Sequence, residues 1–140
     1  MVNNLKEILA GKGISPSYHR LKIYEYLVNN RTHPTAEVIY EDVIQHIPTL
    51  SKTTIYNTLK TLSEKGLVQM ITIEDNEVRY DADISFHGHF KCLQCQGLYD
   101  LDLDQLNIEK KLNISKKICG HLITEKHIYL KGVCKKCQKN

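Results

Sequence analysis

Two Cys-x-x-Cys pairs constrain the fold of this chain more than any other feature. Cys92 and Cys95 form the first pair, and Cys134 and Cys137 form the second, with 38 residues between the pairs. We call each Cys-x-x-Cys pair a clip. Four thiols in two clips match the tetrahedral shell of a structural zinc ion, to which each clip supplies two ligands. Such an ion contributes on the order of 10 kcal/mol to folding. A redox dithiol or a disulfide framework is the alternative.

Length and composition favour a small intracellular protein. At 140 residues the chain is one domain or two small ones, and two halves of about 60–80 residues benefit from a metal staple or a partner subunit. No segment approaches the roughly 18 apolar residues of a membrane span, so we expect a cytoplasmic protein without a membrane partner. Reducing cytosol favours zinc over disulfides. The fifth thiol, Cys119, is predicted to be a small buried hydrophobic residue.

The first half predicts four helices. Leu5, Ile8 and Leu9 form a short apolar stripe, and Ser15-Pro16-Ser17 opens a second run with helical spacing. Thr35 and Ser51 are the predicted N-caps of the third and fourth helices. We expect the third helix to end at Pro48 and to have one apolar face, made by Val38, Ile39, Val43 and Ile47.

Two β-like runs follow, Leu67–Ile73 and Val78–Tyr80, and the turn Glu74–Glu77 between them predicts a hairpin. Helices followed by a hairpin are the layout of a winged helix-turn-helix, whose reading helix is then Ser51–Lys65. Its polar side chains suit phosphates and base edges of DNA; they are Lys52, Thr53, Thr54, Tyr56, Asn57 and Lys60. An ordinary solvated helix face is the alternative. Net charge does not distinguish these two alternatives, because residues 1–80 hold nine basic and nine acidic side chains.

The second half, residues 86–140, predicts a small α/β unit clipped by the four cysteines, and the short polar segment 81–85 is a candidate hinge. Together with the helical first half, residues 1–80, this makes the fold class α+β. The predicted strands are Phe86–Leu93, Gly97–Leu103, Lys117–Ile123 and His127–Val133, and Gln105–Leu112 is a predicted helix between the second and third.

A second metal site is predicted from histidines and carboxylates. His87 and His89 lie at i and i+2 of one predicted strand, so both rings point to the same face. Asp81 and Asp100 flank them in sequence, and His33 lies at the entrance to the third helix. Imidazoles with carboxylates suit Mn²⁺, Fe²⁺ or Zn²⁺. Each histidine taken singly has an ordinary surface or core role as its alternative.

In order and spacing, these motifs resemble the ferric uptake regulator (Fur) family of metal-dependent repressors over nearly the whole chain. The matching stretches are His33–Ala36, Thr53–Leu59, Gly66–Val68, Arg79–Asp81, His87–Cys95 and Gly132–Cys137. The resemblance implies a homodimer that binds double-stranded operator DNA through residues 1–80 and dimerises through residues 86–140, without an organic cofactor. It also implies structural Zn²⁺ on the four cysteines, and regulatory Fe²⁺ or Mn²⁺ on His33, Asp81, His87, His89 and Asp100.

Two residues resemble the peroxide-responsive branch (PerR) of that family. Asp100 stands where iron-responsive members usually carry Glu, and Asn57 stands where they usually carry Arg. In that branch, ferrous iron reacts with peroxide and ligand histidines are oxidised, which releases DNA; by resemblance these are His33 and His87. An iron- or zinc-responsive uptake repressor is the alternative within the family.

Two further hypotheses come from other classes. A small metallohydrolase would hold a catalytic metal at the His-x-His site with an open coordination position, and a zinc-stapled interaction module would have no DNA function. We expect a regulator and not an enzyme.

Overall fold

A computed structural model of the chain describes residues 2–74, 76–108, 110 and 117–138. The chain divides into two compact units, residues 1–84 and residues 85–140, and each unit is described by itself. Within the described ranges, no helix combines the length and the apolar character needed to cross a membrane.

The first unit consists of four helices followed by two short strands. Three of the helices begin at a side-chain cap: the hydroxyl oxygens of Ser17, Thr35 and Ser51 accept hydrogen bonds from the backbone N–H groups three residues further on, at 3.4, 3.2 and 3.1 Å. The predicted caps of the third and fourth helices are therefore confirmed. The elements are α1 (Val2–Gly11), α2 (Tyr18–Asn29), α3 (Ala36–Val43), α4 (Lys52–Glu64), β1 (Gln69–Ile71) and β2 (Arg79–Asp81).

The core of the first unit lies between the helices, since α2 packs against α1, α3 and α4. Burial of a large aliphatic side chain stabilises the fold by about 1.5–3 kcal/mol. The fully buried residues on the helices are Leu9, Ile23, Leu27, Ile39, Ile55, Leu59 and Leu62. Antiparallel pairing of β1 with β2, in which Met70 faces Tyr80, confirms the predicted hairpin.

The third helix differs from its prediction in two ways. The helix ends at Val43, and a turn over residues 44–46 follows, in which the His46 and Ile47 amides both donate to the Val43 carbonyl at 3.0 Å. Val38 is 43% exposed and lies outside the apolar face, whereas Ile39, Val43 and Ile47 are buried. The core face is therefore narrower than predicted.

The second unit contains a three-stranded sheet with β3 (Gly88–Cys92) at its centre. This strand pairs antiparallel with β4 (Leu98–Leu101) and parallel with β7 (Tyr129–Gly132). A separate hairpin is formed by β5 (Lys117–Ile118) and β6 (His121–Leu122). The sheet brings the first Cys-x-x-Cys clip, at the end of β3, next to the segment after β7 that carries the second clip.

Two predictions for the second unit are wrong. The run Lys117–Ile123 is a hairpin and not one strand, because Cys119 and Gly120 adopt positive φ angles of 53° and 83°, as the two central residues of a tight hairpin turn require. Cys119 is consequently exposed and not buried. Of the predicted helix Gln105–Leu112, residues 109, 111 and 112 lie outside the described residues, and Asp104–Leu106 form a 3₁₀ turn.

Candidate metal centres and nucleic-acid interface

The four predicted zinc ligands form one cluster in the second unit. The sulfur atoms of Cys92, Cys95, Cys134 and Cys137 all lie within 4.8 Å of one another. Cys92 closes β3, and the parallel pairing of β3 with β7 brings the second clip beside it. The two clips, distant in sequence, therefore meet through the sheet.

The cluster fits a zinc ion. A Zn–S distance of about 2.3 Å places tetrahedral sulfur atoms about 3.8 Å apart, and Cys95 Sγ lies 3.9 Å from Cys134 Sγ. All five cysteines carry free thiols. Four converging soft donors with two ligands per clip suit a closed structural site, in which zinc would be held by thiolates alone.

Backbone amides prepare one of these thiols to bind metal. The N–H groups of Cys95 and Cys134 each point at Cys92 Sγ from 3.4 Å. Hydrogen bonds from these two amides lower the pKa of Cys92 to about 6, because they stabilise the thiolate. The thiolate is the form that binds a metal, so this clip carries a ligand already biased toward its metal-binding state.

The five predicted regulatory ligands fall into two groups, one in each unit. In the first unit, His33 Nε2 lies 3.6 Å from Asp81 Oδ2, and both side chains are almost fully buried. The other oxygen of Asp81 accepts a hydrogen bond of 2.9 Å from the Asp83 amide, which leaves Oδ2 directed at the imidazole. A buried carboxylate beside an imidazole offers one oxygen and one nitrogen donor of the kinds that divalent transition metals accept.

His33 has an unfavourable backbone conformation that its neighbours impose. Its φ angle is 56°, in the left-handed region that L side chains rarely adopt. Arg79 donates to the His33 carbonyl at 3.0 Å, and the Tyr80 amide donates to the Pro34 carbonyl at 3.0 Å. Strand β2 thus fixes the loop before α3. Such strain, on the order of 1–3 kcal/mol, persists only where surrounding contacts determine it.

In the second unit, the other three predicted ligands converge. His87 Nε2 and His89 Nε2 lie 3.3 and 3.4 Å from the same Asp100 oxygen, and the two rings are 4.6 Å apart between centroids. His89 faces Asp100 directly across β3 and β4. The Ser85 carbonyl lies 2.8 Å from His87 Nδ1, and this contact orients the His87 imidazole through its second ring nitrogen. Two imidazoles on one carboxylate present a partial ligand set for a divalent cation.

The predicted DNA-reading residues lie along α4, and most are exposed. Lys52, Thr53, Tyr56, Asn57 and Lys60 are exposed. Thr54 is half-buried, and its hydroxyl lies 2.9 Å from that of Ser51, so it belongs to the helix cap. On the opposite side of α4, Ile55, Leu59 and Leu62 are buried, which fixes the polar face outward.

Glu37, which the sequence analysis did not single out, holds two of these side chains. Its carboxylate accepts a hydrogen bond of 2.9 Å from the Tyr56 hydroxyl and lies 3.1 Å from Lys52 Nζ. The hydrogen bond from Lys52 is the main reason that the pKa of Glu37 is lowered, and the pKa of Lys52 is raised in turn. No local sequence signal links Glu37 on α3 to residues on α4, since only the packing of the two helices joins them.

Tyr99 was also missed by the sequence analysis. Its hydroxyl lies 3.7 Å from Cys134 Sγ and 3.9 Å from Cys95 Sγ. The hydrogen bond to Cys134 is the largest cause of a raised pKa for Tyr99, so the hydroxyl keeps its proton. Tyr99 lies in β4, four residues after Cys95, but this spacing alone does not predict a contact with the sulfur atoms. The turn between β3 and β4 is what makes the contact possible.

Comparisons with known proteins agree with one another. A model of the ferric uptake regulator family matches residues 12–131. The peroxide-responsive repressor PerR of Staphylococcus aureus strain USA300 is 35% identical over 129 residues, which cover 92% of this chain and 84% of that protein.

Solved structures show the same fold. The peroxide stress regulator of Campylobacter jejuni superposes with a TM-score of 0.72 at 26% identity, covering 98% of each chain. The ferric uptake regulator of Pseudomonas aeruginosa, solved with manganese, gives a TM-score of 0.77 at 21% identity, covering 97% of this chain and 100% of that one. These likenesses confirm the predicted α+β class, in which a winged helix-turn-helix unit precedes a small α/β unit.

Proposed function

Because the chain belongs to the ferric uptake regulator family, whose members are metal-responsive transcriptional regulators, we propose that it is a DNA-binding repressor that responds to peroxide. Residues 1–80 bind operator DNA, residues 81–85 act as a hinge and residues 86–140 dimerise. The observation that carries the proposal is the convergence of His87 and His89 on Asp100, at 3.3 and 3.4 Å, in a chain 35% identical to a peroxide-responsive repressor.

The regulatory element in this proposal is a removable cation that takes ligands from both units. Each unit offers an incomplete set: His33 with Asp81 in the first, and His87, His89 and Asp100 in the second. The mixed nitrogen and oxygen donors suit Fe²⁺ or Mn²⁺. An ion that uses both sets fixes the angle between the units, and its loss frees that angle. In a dimer, this angle sets the spacing of two α4 helices, which must match about one DNA turn or a multiple.

In this proposal, peroxide is sensed through oxidation of the ligand histidines. Ferrous iron held at this site would supply the reducing chemistry that activates peroxide, whereas Mn²⁺ would not. The imidazole of His33 or His87 exchanges a carbon-bound hydrogen for a hydroxyl group, with water as the second product, so peroxide takes up the two electrons that the ring loses. Both side chains are at most 10% exposed. Oxidation therefore depends on an oxidant made at the site, and an oxidised ring is a poorer ligand.

We expect peroxide to release DNA from the Fe²⁺-loaded dimer but not from the Mn²⁺-loaded dimer. The probe is a duplex selected from a random-sequence library by the Mn²⁺-loaded protein, bound under anaerobic conditions and followed by fluorescence anisotropy. Release should coincide with the gain of one oxygen atom on His33 or His87, located by peptide mass spectrometry. This result is expected because the proposal makes both imidazoles ligands of the iron at which the oxidant forms.

The same experiment separates peroxide sensing from iron- or zinc-responsive uptake control. An uptake repressor would keep its DNA after peroxide treatment, with neither histidine modified, and would release it only when a chelator removes the metal. Retention of the selected duplex by the peroxide-treated Fe²⁺ form therefore contradicts the peroxide proposal while leaving metal-dependent repression intact.

Dimerisation is supported by apolar side chains that the second unit leaves exposed. Both strands of the β5–β6 hairpin and strand β7 contribute to them, and Leu122 is 63% exposed. Exposed apolar groups concentrated in a small unit are typical of a subunit interface. The group consists of Ile118, Leu122, Ile123, Leu130 and Val133.

DNA recognition in this proposal uses the exposed face of α4. Asn57 presents an amide suited to adenine, and Lys60 presents a charge for phosphate. Lys52 and Tyr56 are held by the Glu37 carboxylate, which stands where a phosphate oxygen would otherwise bind. Glu37 therefore competes with any duplex, whatever its sequence, for these two donors.

We expect Glu37→Gln to strengthen binding to a duplex of arbitrary sequence, by about two- to fivefold because exposed ion pairs are weak. The slope of log affinity against log salt should steepen by about 0.9 per subunit, since each freed Lys52 neutralises one more phosphate. Titrations of the Mn²⁺-loaded dimer at several salt concentrations measure both quantities.

Glu41→Gln is the matched control, because Glu41 is exposed one turn further along α3 and makes no ion pair among the described residues. Glu41→Gln changes the net charge by the same amount as Glu37→Gln, and it should leave the slope of log affinity against log salt unaltered. If Glu37→Gln instead weakens binding, the Glu37 carboxylate positions Lys52 and Tyr56 for DNA and does not compete with it.

A further inference from the structure

The hydroxyl of Tyr99 lies between the two cysteine clips. It is 3.9 Å from Cys95 Sγ in the first clip and 3.7 Å from Cys134 Sγ in the second, and these two sulfur atoms are 3.9 Å apart. These distances suit donation to sulfur, which is a larger and softer acceptor than oxygen. One hydroxyl hydrogen is thus available to two sulfur atoms that are 39 residues apart in sequence.

The position of Tyr99 is fixed by its surroundings. Its ring packs against Phe90, with 6.4 Å between centroids and an interplanar angle of 42°. On another side the ring lies over Gly97, where a Cβ would come within 3.0 Å of both the ring and the hydroxyl oxygen. Any side chain at position 97 would therefore push the ring away, so the absence of a side chain at this position lets the hydroxyl reach the sulfur atoms.

We propose that Tyr99 is a positioning residue of the zinc centre, whose hydroxyl donates to the thiolates of Cys95 and Cys134 and slows the loss of the ion. This inference rests on the proposed structural zinc site. Four thiolates outweigh the charge of one Zn²⁺, so the sulfur atoms keep excess negative charge that a hydrogen-bond donor stabilises. Outer-shell donors of this kind also hold ligand atoms in their binding geometry.

Geometry makes Cys95 the sulfur that most needs this donor. Cys92 is buried and receives two backbone amides, and Cys134 is buried, whereas Cys95 is exposed. An exposed thiolate is the ligand that solvent or a competing chelator reaches first. Tyr99 links this exposed ligand to a buried one in the other clip, so opening of one clip is resisted by the other.

The test removes only the hydroxyl. Zinc is counted by elemental analysis, and its transfer to the chromogenic chelator 4-(2-pyridylazo)resorcinol is timed for the full-length dimer. We expect Tyr99→Phe to bind one zinc per chain, as the unmodified protein does, and to lose it about tenfold faster, at the lower end of the effects of removing an outer-shell partner. Gly97→Ala should speed zinc loss similarly, and the double variant should add little to either single change.

A spectroscopic measurement separates the hydrogen bond from simple packing. With Co²⁺ in place of zinc, the sulfur-to-metal charge-transfer band of Tyr99→Phe should move to longer wavelength, because a thiolate without a donor gives up an electron more easily. Tyr18→Phe removes an exposed hydroxyl in the first unit and should change neither measurement. Tyr99→Phe with an unshifted band and unchanged zinc loss overturns the role of Tyr99, whereas an unmodified protein without zinc overturns the zinc site itself.

Discussion

Cys134→Ser should abolish zinc binding and leave the second unit unfolded and the chain monomeric. Serine supplies a hard, protonated oxygen in place of a soft thiolate, so the tetrahedral site loses one of its four ligands. A structural zinc site contributes on the order of 10 kcal/mol to folding, which rivals the whole stability of a small domain, about 5–15 kcal/mol. The sheet of the second unit has three strands, and it has little else to offset that loss.

Zinc content, far-ultraviolet circular dichroism and sedimentation velocity measure this outcome together. Cys119→Ser is the matched control: the same atom is exchanged at an exposed hairpin turn outside the sulfur cluster. It should keep one zinc per chain, the dimer and the melting temperature. A folded, zinc-free Cys134→Ser dimer would show that the four cysteines do not hold the second unit together.

His89→Ala should give a folded, zinc-containing dimer that no longer binds DNA in response to Mn²⁺. His89 lies 3.4 Å from Asp100 in the second unit, and the substitution leaves the sulfur cluster untouched. Coupling between an effector and a ligand is typically about 1–3 kcal/mol, so DNA affinity in Mn²⁺ should fall about 5–150-fold, to the level of the metal-free protein. Anisotropy titrations with and without Mn²⁺ measure the loss.

Because His89 is buried, a second substitution guards against a simple folding defect. Asp100→Asn keeps the shape of a side chain that is 48% exposed and removes only its charge, and it should lose the Mn²⁺ response in the same way. His121→Ala, at an exposed position in β6, is the histidine control and should respond normally. Normal Mn²⁺-dependent binding by both the His89 and Asp100 variants would remove this cluster from the regulatory mechanism.

Local signals in the sequence were sufficient to predict much of the fold. The caps at Thr35 and Ser51 could be predicted because a capping side chain reaches a backbone amide only three residues away. The Cys-x-x-Cys clips could be predicted equally well, because a spacing of two residues between the cysteines lets both thiols reach one ion. The pairing of His87 with His89 followed from the two-residue period of extended backbone.

Where the predictions failed, the segment contained a turn that the prediction did not include. The apolar and β-branched character of Lys117–Ile123 predicted a strand, but the left-handed backbone at Cys119 and Gly120 turns it into a hairpin and exposes the thiol. The third helix ends at Val43 and a turn fills the interval before Pro48, so the proline marks the end of the segment and not the end of the helix.

The sequence by itself determined the helices, the hairpin of the first unit, the four thiols and the histidine pair, because each depends on interactions over a few residues. Only the tertiary structure decided that Glu37 holds Lys52 and Tyr56, and that Tyr99 reaches sulfur atoms of both clips. The tertiary structure also decided that His33, whose carbonyl accepts a hydrogen bond from Arg79 in β2, takes a left-handed backbone conformation. These contacts join distant parts of the chain, and their geometry exists only after helices and strands have packed.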